Sequence, residues 1–368
     1  MAVHEIRIDP TRTLREQPET GHNRWHPDIP PVVRCEPGDE VVFETRDALD
    51  GQCTPDTTAA GVAGVDLTVV HPLTGPVYVA GAAPGDTLEV EILEVVPDRY
   101  GFTVQVPGFG FLRDEFPDPY VVHWQLADGW AQSAQLPGVR VPAAPFLGTI
   151  GLAPGAGTLR RTAEREQAAL AAGGMVMPPL TDGAVPADPA IASTALRTVP
   201  PREQGGNVDI KQLTAGTRLF LPVDTPGGLF SAGDAHFAQG DGEVCGTAVE
   251  MRATVRVRFT VHSGRTIREP QFARTDYWVA PEFAAPRRCY ATTGRSVDRD
   301  GTTVRPEDAT LAARNALLQM IEHLQTRGFD RQQAYAICSV AVDLRVSQLV
   351  DVPHFLVTAF LPEDIFTG

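Results

Sequence analysis

The sequence predicts an α+β protein that is mainly β, with sandwich- or barrel-like sub-domains and a pair of helices late in the chain. Three observations carry that expectation. Gly-turns lead into alternating segments at three separate places, helical start and stop signals gather after residue 305, and strands do not alternate regularly with helices. The last point disfavours a doubly wound or barrel α/β arrangement.

The alternating segments are EPGDEVVFETRD (36–47), APGDTLEVEILEVV (83–96) and TAGTRLFLPVDT (214–225). Period-two alternation behind a Gly-containing turn is the pattern of a half-buried strand, and its recurrence suggests hairpin-like units. Within VCGTAVEMRATVRVRFTV, Val244 to Val261, the residues Val249, Met251, Thr254, Arg256 and Arg258 cannot share one helical stripe. Two strands joined by a bend or bulge are expected there. From Leu152 to Pro200 the chain thins into alanine, glycine and proline, with a short helical stretch at Thr162 to Ala172. That is the composition of a surface connection. Pro306, Glu307 and Asp308 open a helix through Leu311, Leu317, Leu318, Ile321 and Leu324 that stops near Gly328. A second helix takes Asp330 as its N-cap and runs through Ala334, Ile337 and Val340, so that the pair covers a sheet. The expected organisation is a β-rich sub-domain over 1–150, a connection over 151–200, and an α+β sub-domain over 201–368 carrying most site residues.

At 368 residues the chain is long for one core, which also favours two associated sub-domains. A net charge of -15 opposes a nucleic-acid groove or an anionic membrane surface, since both need clustered Lys and Arg. MAVHEIRIDP at the amino terminus lacks a basic segment followed by an apolar run, and no apolar stretch approaches the ~20 residues of a membrane span. A soluble, cytoplasmic protein is expected. Cys35, Cys53, Cys245, Cys289 and Cys338 are odd in number and widely spaced, which fits reduced, mostly buried thiols. Lys211 is the only lysine in an arginine-rich chain, and a compact buried amine can lose its proton where a guanidinium cannot.

The densest site-like segment is GGLFSAGDAHFAQGDGE, Gly227 to Glu243. Asp234 and His236 are two apart, as are Asp241 and Glu243, so each pair projects to one face of an extended backbone. Imidazole with carboxylates suits Zn²⁺ or a similar divalent ion, with a carboxylate left for proton transfer. Just upstream, RTVPPREQGGNVDIK places Glu203, Asn207, Asp209 and Lys211 around a Gly-Gly turn. A carboxylate and an amine there can serve as base and oxyanion stabiliser. In GHNRWHPDIPPV, His22 and His26 would share a helix face, but Pro27, Pro30 and Pro31 forbid a continuous helix. Structural or substrate-lining roles remain. Asp47, with Asp50 nearby, stands at the end of the first Gly-turn strand, where a ligand is naturally presented. His123 in YVVHW alternates with apolar neighbours, as a buried, hydrogen-bonded histidine does; with His22 and Asn207 it completes the substrate-binding candidates.

HNRWHPDIPPV, HPLTGPVYVAGAAPGDTLEVEILEV, RTVPPREQGGNVDIK and GDAHFAQGDGE, in that order, resemble segments of the acetamidase/formamidase family. The first and third look most like its formamidase branch. The resemblance implies hydrolysis of formamide or another short aliphatic amide to carboxylate and ammonia, by a mainly β homo-oligomer with bound Zn²⁺ or Ca²⁺. Carried over by position, it makes Asp47, Asp209, Asp234 and His236 the metal candidates, and Glu203 and Glu243 fall in matching motifs too. Ala48 to Cys53 and the Ala-Pro-rich middle depart from the branch pattern, which bears on substrate choice because loops commonly set pocket size. The expected mechanism has metal-activated water attack the carbonyl, Glu243 or Glu203 shuttle the proton, and Lys211 stabilise the oxyanion or protonate the departing amine. Two alternatives stand beside it: a Glu-Lys-Cys nucleophilic amidase using Cys245, and a non-catalytic β-rich protein whose acidic loops bind Ca²⁺.

Overall fold

Alternating segments form strands at all three expected places, Glu40–Thr45, Thr87–Gln105 and Arg218–Pro222. The computed structural model describes residues 1–276 and 288–367. In chain order, the strands that position the site are β1 (Glu40–Thr45), β2 (Leu73–Val79), β3 (Thr87–Gln105), β4 (Tyr120–Ala127), β5 (Phe146–Gly151), β6 (Gly205–Asn207), β7 (Arg218–Pro222), β8 (Phe230–His236) and β9 (Glu250–His262). All belong to one 16-stranded sheet, through which the path β4-β3-β9-β8-β5-β6 runs. Strands from both ends of the chain share it, with β3 paired antiparallel along nearly the whole of β9. The fold is therefore α+β and mainly β, as expected.

One correction concerns Val244 to Val261. A single strand, β9, begins only at Glu250, and its bend is accommodated by register shifts between Met251 and Ala253 and between Arg256 and Val257. Residues Val244 to Thr247 form a turn that the late helices hold in place. The Ser339 hydroxyl donates to the Thr247 carbonyl at 2.7 Å and accepts from the Cys245 amide at 3.1 Å, while the Tyr335 hydroxyl donates to the Val244 carbonyl.

Three helices matter: α1 (Ala156–Ala171), α2 (Ala309–Thr326) and α3 (Arg331–Ala341). Helix α1 begins six residues before the expected Thr162. Asp308 and Asp330 cap α2 and α3 by accepting backbone amides of Leu311 and Gln333, each at 2.8 Å. Helix α2 lies on an antiparallel sheet of β10 (Cys289–Arg295), β11 (Asp343–Gln348) and β12 (Leu356–Pro362), with β12 in the middle. Gly294 permits this close approach: a Cβ there would lie 2.1 Å from the Ala312 carbonyl oxygen. The main buried cluster is continuous from Val90 and Val257 in the large sheet to Leu317 and Ile337 in the helical pair. All five cysteines are free, four of them buried and Cys289 exposed. No described helix is long and apolar enough to cross a membrane.

Because Ser339 is fully buried and bonds both sides of the Val244–Thr247 turn, Ser339→Ala strands a buried amide and a carbonyl. The expected loss is about 1–3 kcal/mol, read as a lower urea midpoint with an unchanged slope. An unchanged midpoint would show that Ser339 does not hold this turn.

Candidate active site

Strand β8 is the spine of the site, and its register fixes what surrounds it. His236 faces Glu250 of β9 on one side and Phe146 of β5 on the other. Thr149 of β5 pairs with Asn207 of β6, whose chain continues to Asp209. Strands β8 and β9 thus deliver Asp234, His236 and Glu250 to one place, the chain leaving β6 adds Asp209, and the loop after β8 returns Glu243 to them. Asp209, Asp234 and Glu243 have φ of 46°, 56° and 43°. Side chains rarely adopt this left-handed region, and its cost is tolerated where the surroundings over-determine a functional geometry.

The imidazole of His236 explains the charge arrangement. Gln239 donates its amide N–H to the Asp209 carbonyl at 2.9 Å, so its Oε1 is the acceptor 3.0 Å from His236 Nδ1. Nδ1 must therefore carry a hydrogen, and in a neutral ring the Nε2 lone pair faces outward. What it faces is acidic: Asp234 Oδ1 and Glu250 Oε2 each lie 3.2 Å from Nε2, and Glu243 Oε1 lies 3.9 Å away. A lone pair amid carboxylates is repulsive unless a positive charge, proton or metal ion, sits among them.

Proton affinities respond accordingly. Burial pushes the Asp209 carboxyl up to about 8, with Asp234 adding to the effect. Burial lifts Glu250 to about 7 and, together with Asp209, holds Glu243 well above its ordinary range. For Asp234 burial works against ionisation, but His71 and His236 outweigh it and keep the carboxyl low. For His236 burial disfavours the cation, yet Glu250 and Asp234 raise its affinity well above normal.

A divalent ion fits these residues. Ligand atoms of Asp209, Asp234 and His236 lie within 4.8 Å of one another, as do those of His236, Glu243 and Glu250. Among the described residues, the buried Asp209 Oδ1 and Glu250 Oε2 have no hydrogen-bond partner, the condition expected of oxygens meant for a cation. The Asn207 amide donates to the other Asp209 oxygen at 3.0 Å, and the Thr149 hydroxyl lies 2.6 Å from Asn207 Oδ1 and 3.1 Å from Asp234 Oδ2, an outer layer that orients the carboxylates. Gly148 leaves the space: a Cβ there would lie 2.6 Å from Asp209 Oδ1, 2.7 Å from His236 Cε1 and 2.8 Å from Asp234 Oδ2. One imidazole with carboxylate oxygens, open to a cavity on one side, is a donor set suited to Zn²⁺.

The cavity holds about 410 Å³. Asp209, Asp234, Glu243 and Glu250 line its floor, the first and third partly exposed, with His236 buried behind them. His71 joins them on the lining, 4.0 Å from Asp234. Burial lowers its proton affinity against the pull of Asp234, and among the described residues its buried Nδ1 has no hydrogen-bond partner.

Of the residues singled out in the sequence, Asn207, Asp209, Asp234, His236 and Glu243 come together here. The rest lie elsewhere. Asp47 closes its own turn, accepting amides of Leu49 at 3.0 Å and Gly51 at 3.1 Å, although the adjacent Ala48 and Leu49 line the cavity. Glu203 forms a bidentate pair with Arg165 of α1, which draws its carboxyl down to about 2. Lys211 is bound by Asp343 and, at 3.3 Å, by Asp241. His22 is 2.7 Å from the Ser231 hydroxyl, and burial lowers it to about 4. His123 lies between the Tyr100 hydroxyl and the Thr57 carbonyl, each at 2.8 Å. Asp241 and Glu243 do not share a face as expected, because their segment is a turn, with Asp241 directed to Lys211 and Glu243 to the cavity. Glu250 and His71 are additions that local sequence did not single out.

The profile of the Acetamidase/Formamidase family matches residues 7–368. The chain is 38% identical to an acetamidase of Mycolicibacterium smegmatis, over 90% of this chain and 87% of that one. It is 35% identical to a formamidase of Methylophilus methylotrophus, over 98% and 93%. Among solved structures, a gamma lactamase from Delftia acidovorans superposes with a TM-score of 0.93 at 35% identity, covering 100% of this chain and 94% of the other.

The raised groups give the site a pH signature. Folded Asp209, Glu243, Glu250 and His236 retain protons that the unfolded chain releases earlier, so stability is full in acid and declines as pH climbs from the ordinary carboxylate range of about 4 through about 7 for Glu250 and about 8 for Asp209. A Zn²⁺ ion held by these groups would replace those protons. The unfolding free energy of Zn²⁺-loaded protein should therefore exceed that of chelator-treated protein by more at about pH 8.5 than at about pH 5.5. A gap independent of pH would show that no metal exchanges with these protons.

Proposed function

Because the chain belongs to the acetamidase/formamidase family of hydrolases acting on amide C–N bonds, we propose that Asp209, Asp234, His236 and Glu250 hold a divalent ion and that Glu243 shuttles the proton. The observation that carries this reading is the convergence of carboxylates on His236 Nε2, whose other nitrogen is committed to Gln239, at the floor of a cavity. When bound, the ion would supply Lewis acidity, making water a nucleophile near neutral pH. Zn²⁺ is the first candidate and Ca²⁺ the second.

The chain's own residues account for the remaining work. Glu243 faces the cavity with a raised proton affinity, which suits a carboxylate that takes a proton from water and returns it to the departing amine. The products are carboxylate and ammonia. His71 lines the cavity with a ring nitrogen that no described residue satisfies, available to hydrogen-bond the substrate. Asn207 and Thr149 hold the floor carboxylates in orientation. Formamide and acetamide are the short amides to test first, and the Delftia relative's name adds cyclic amides. Exposed Val346, Leu349, Val350 and Val352, grouped at one hairpin, support assembly into a homo-oligomer; a cytoplasmic location completes the reading.

A thiol nucleophile has little support. Cys245 is buried, its thiol contacts the Val104 and Thr247 carbonyls, and burial raises it to about 11. A reactive cysteine instead needs its thiolate favoured.

Ammonia release from formamide and acetamide should vanish with chelator and return with Zn²⁺. Glu243→Gln should lower kcat by about 10²–10⁴-fold with metal content unchanged, while Glu203→Gln and Cys245→Ala should stay within about threefold of the parent, on the scale of minor surface or packing changes. Full activity in Glu243→Gln would remove Glu243 from the mechanism, and loss in Cys245→Ala would revive the thiol route.

A further inference from the structure

We propose that the preferred substrates are amides carrying an apolar acyl chain or ring of about four to seven carbons, in preference to formamide, with the apolar portion seated beside the acidic floor. This rests on the amidase reading of the same site and concerns what the rest of its cavity is for.

The first argument is volume. About 410 Å³ corresponds to roughly fourteen water volumes of ~30 Å³ each, whereas formamide, with three heavy atoms, displaces about two or three. Most of the cavity would remain hydrated around so small a substrate.

The second argument is lining. Away from Asp209 and Glu243 the wall is made by Leu49, Val70 and Val104, continued by Val106 and Phe111. Leu49, Val70 and Val104 are buried members of a packed cluster that also contains Phe102 and Val121, with Val106 packed against it. The apolar wall is thus part of the core and already rigid, so an acyl group placed on it gains burial without ordering a loop. The acidic floor opposes a carboxylate close to the scissile amide, which favours an uncharged, apolar acyl group beside it, while Arg113 lines the same cavity.

Each methylene moved from water onto such a wall should raise kcat/KM about threefold to fourfold. Metal-loaded full-length protein is assayed for ammonia release from formamide, acetamide, butyramide, hexanamide and cyclohexanecarboxamide. The expected result is a rise of at least about 50-fold in kcat/KM from formamide to hexanamide. A maximum at formamide or acetamide overturns this inference and leaves amide hydrolysis standing; no ammonia from any of the five removes both. As a second reading, Val106→Trp fills the chamber from a partly exposed loop position and should lower the hexanamide-to-formamide ratio of kcat/KM at least about tenfold. That ratio is independent of the fraction of protein folded, and an unchanged value places the acyl group elsewhere.

Discussion

Like charge in a confined place is the constraint on which the rest of this structure depends. Asp209, Asp234, Glu243 and Glu250 gather around one imidazole whose only spare nitrogen points at them. In water such a group would separate, and in a low-dielectric interior its repulsion grows severalfold. The fold must therefore hold the carboxylates by force of geometry and provide positive charge at their centre. Protons serve that purpose at the price of raised affinities, and a divalent cation serves it better, since it satisfies several oxygens at once.

The geometry comes from the part of the molecule least able to move. Strand β8 is bonded on both sides within a large sheet, and Asp234 and His236 end it. Asp209 and Glu243 lie on loops instead, and each loop is tied down. The amide of Asp209 donates to the Gly148 carbonyl at 3.1 Å, while the turn following Glu243 is bonded to Ser339 and Tyr335 of α3. The helical pair, though outside the site, thus fixes the residue best placed to move a proton. Strained backbone at Asp209, Asp234 and Glu243 is affordable only because these restraints act together.

What could be read from the sequence was whatever is local. The Gly-turn strands, the Asp308 and Asp330 caps and the GDAHFAQGDGE motif declare themselves within a dozen residues, because turn chemistry, capping and alternation are short-range effects. Glu250 was hidden for a specific reason. It lies in phase with Arg252, Arg256 and Arg258, the outward side of β9, and alternation assigns that side to solvent; at the end of the strand, however, the 237–249 loop and β3 cover it. His71 was hidden because only long-range pairing of β2 with β8 brings it to the site. Glu203 stands six residues before Asp209, but it sits in the tight turn between Arg202 and Gly205, at the opposite end of β6 from Asp209, so one carboxylate goes to Arg165 and the other to His236. Sequence distance carries no information about which side of a hairpin a residue will face.

Lys211 shows what the same constraint asks of a cation. Among 31 basic residues it is the only lysine, a distinction that suggests chemistry at first sight. Its ammonium lies instead between Asp343 of β11 and Asp241, two residues before Glu243, and two residues beyond Asp209 along its own chain. One compact charge therefore ties both site loops to the C-terminal sheet. A planar guanidinium has its donors fixed in a fork, whereas a lysine ammonium turns its donors freely toward two separate carboxylates. With its charge neutralised by those partners, Lys211 adds little positive field to the floor of the cavity, and the carboxylates there must find their counter-charge in protons or in metal.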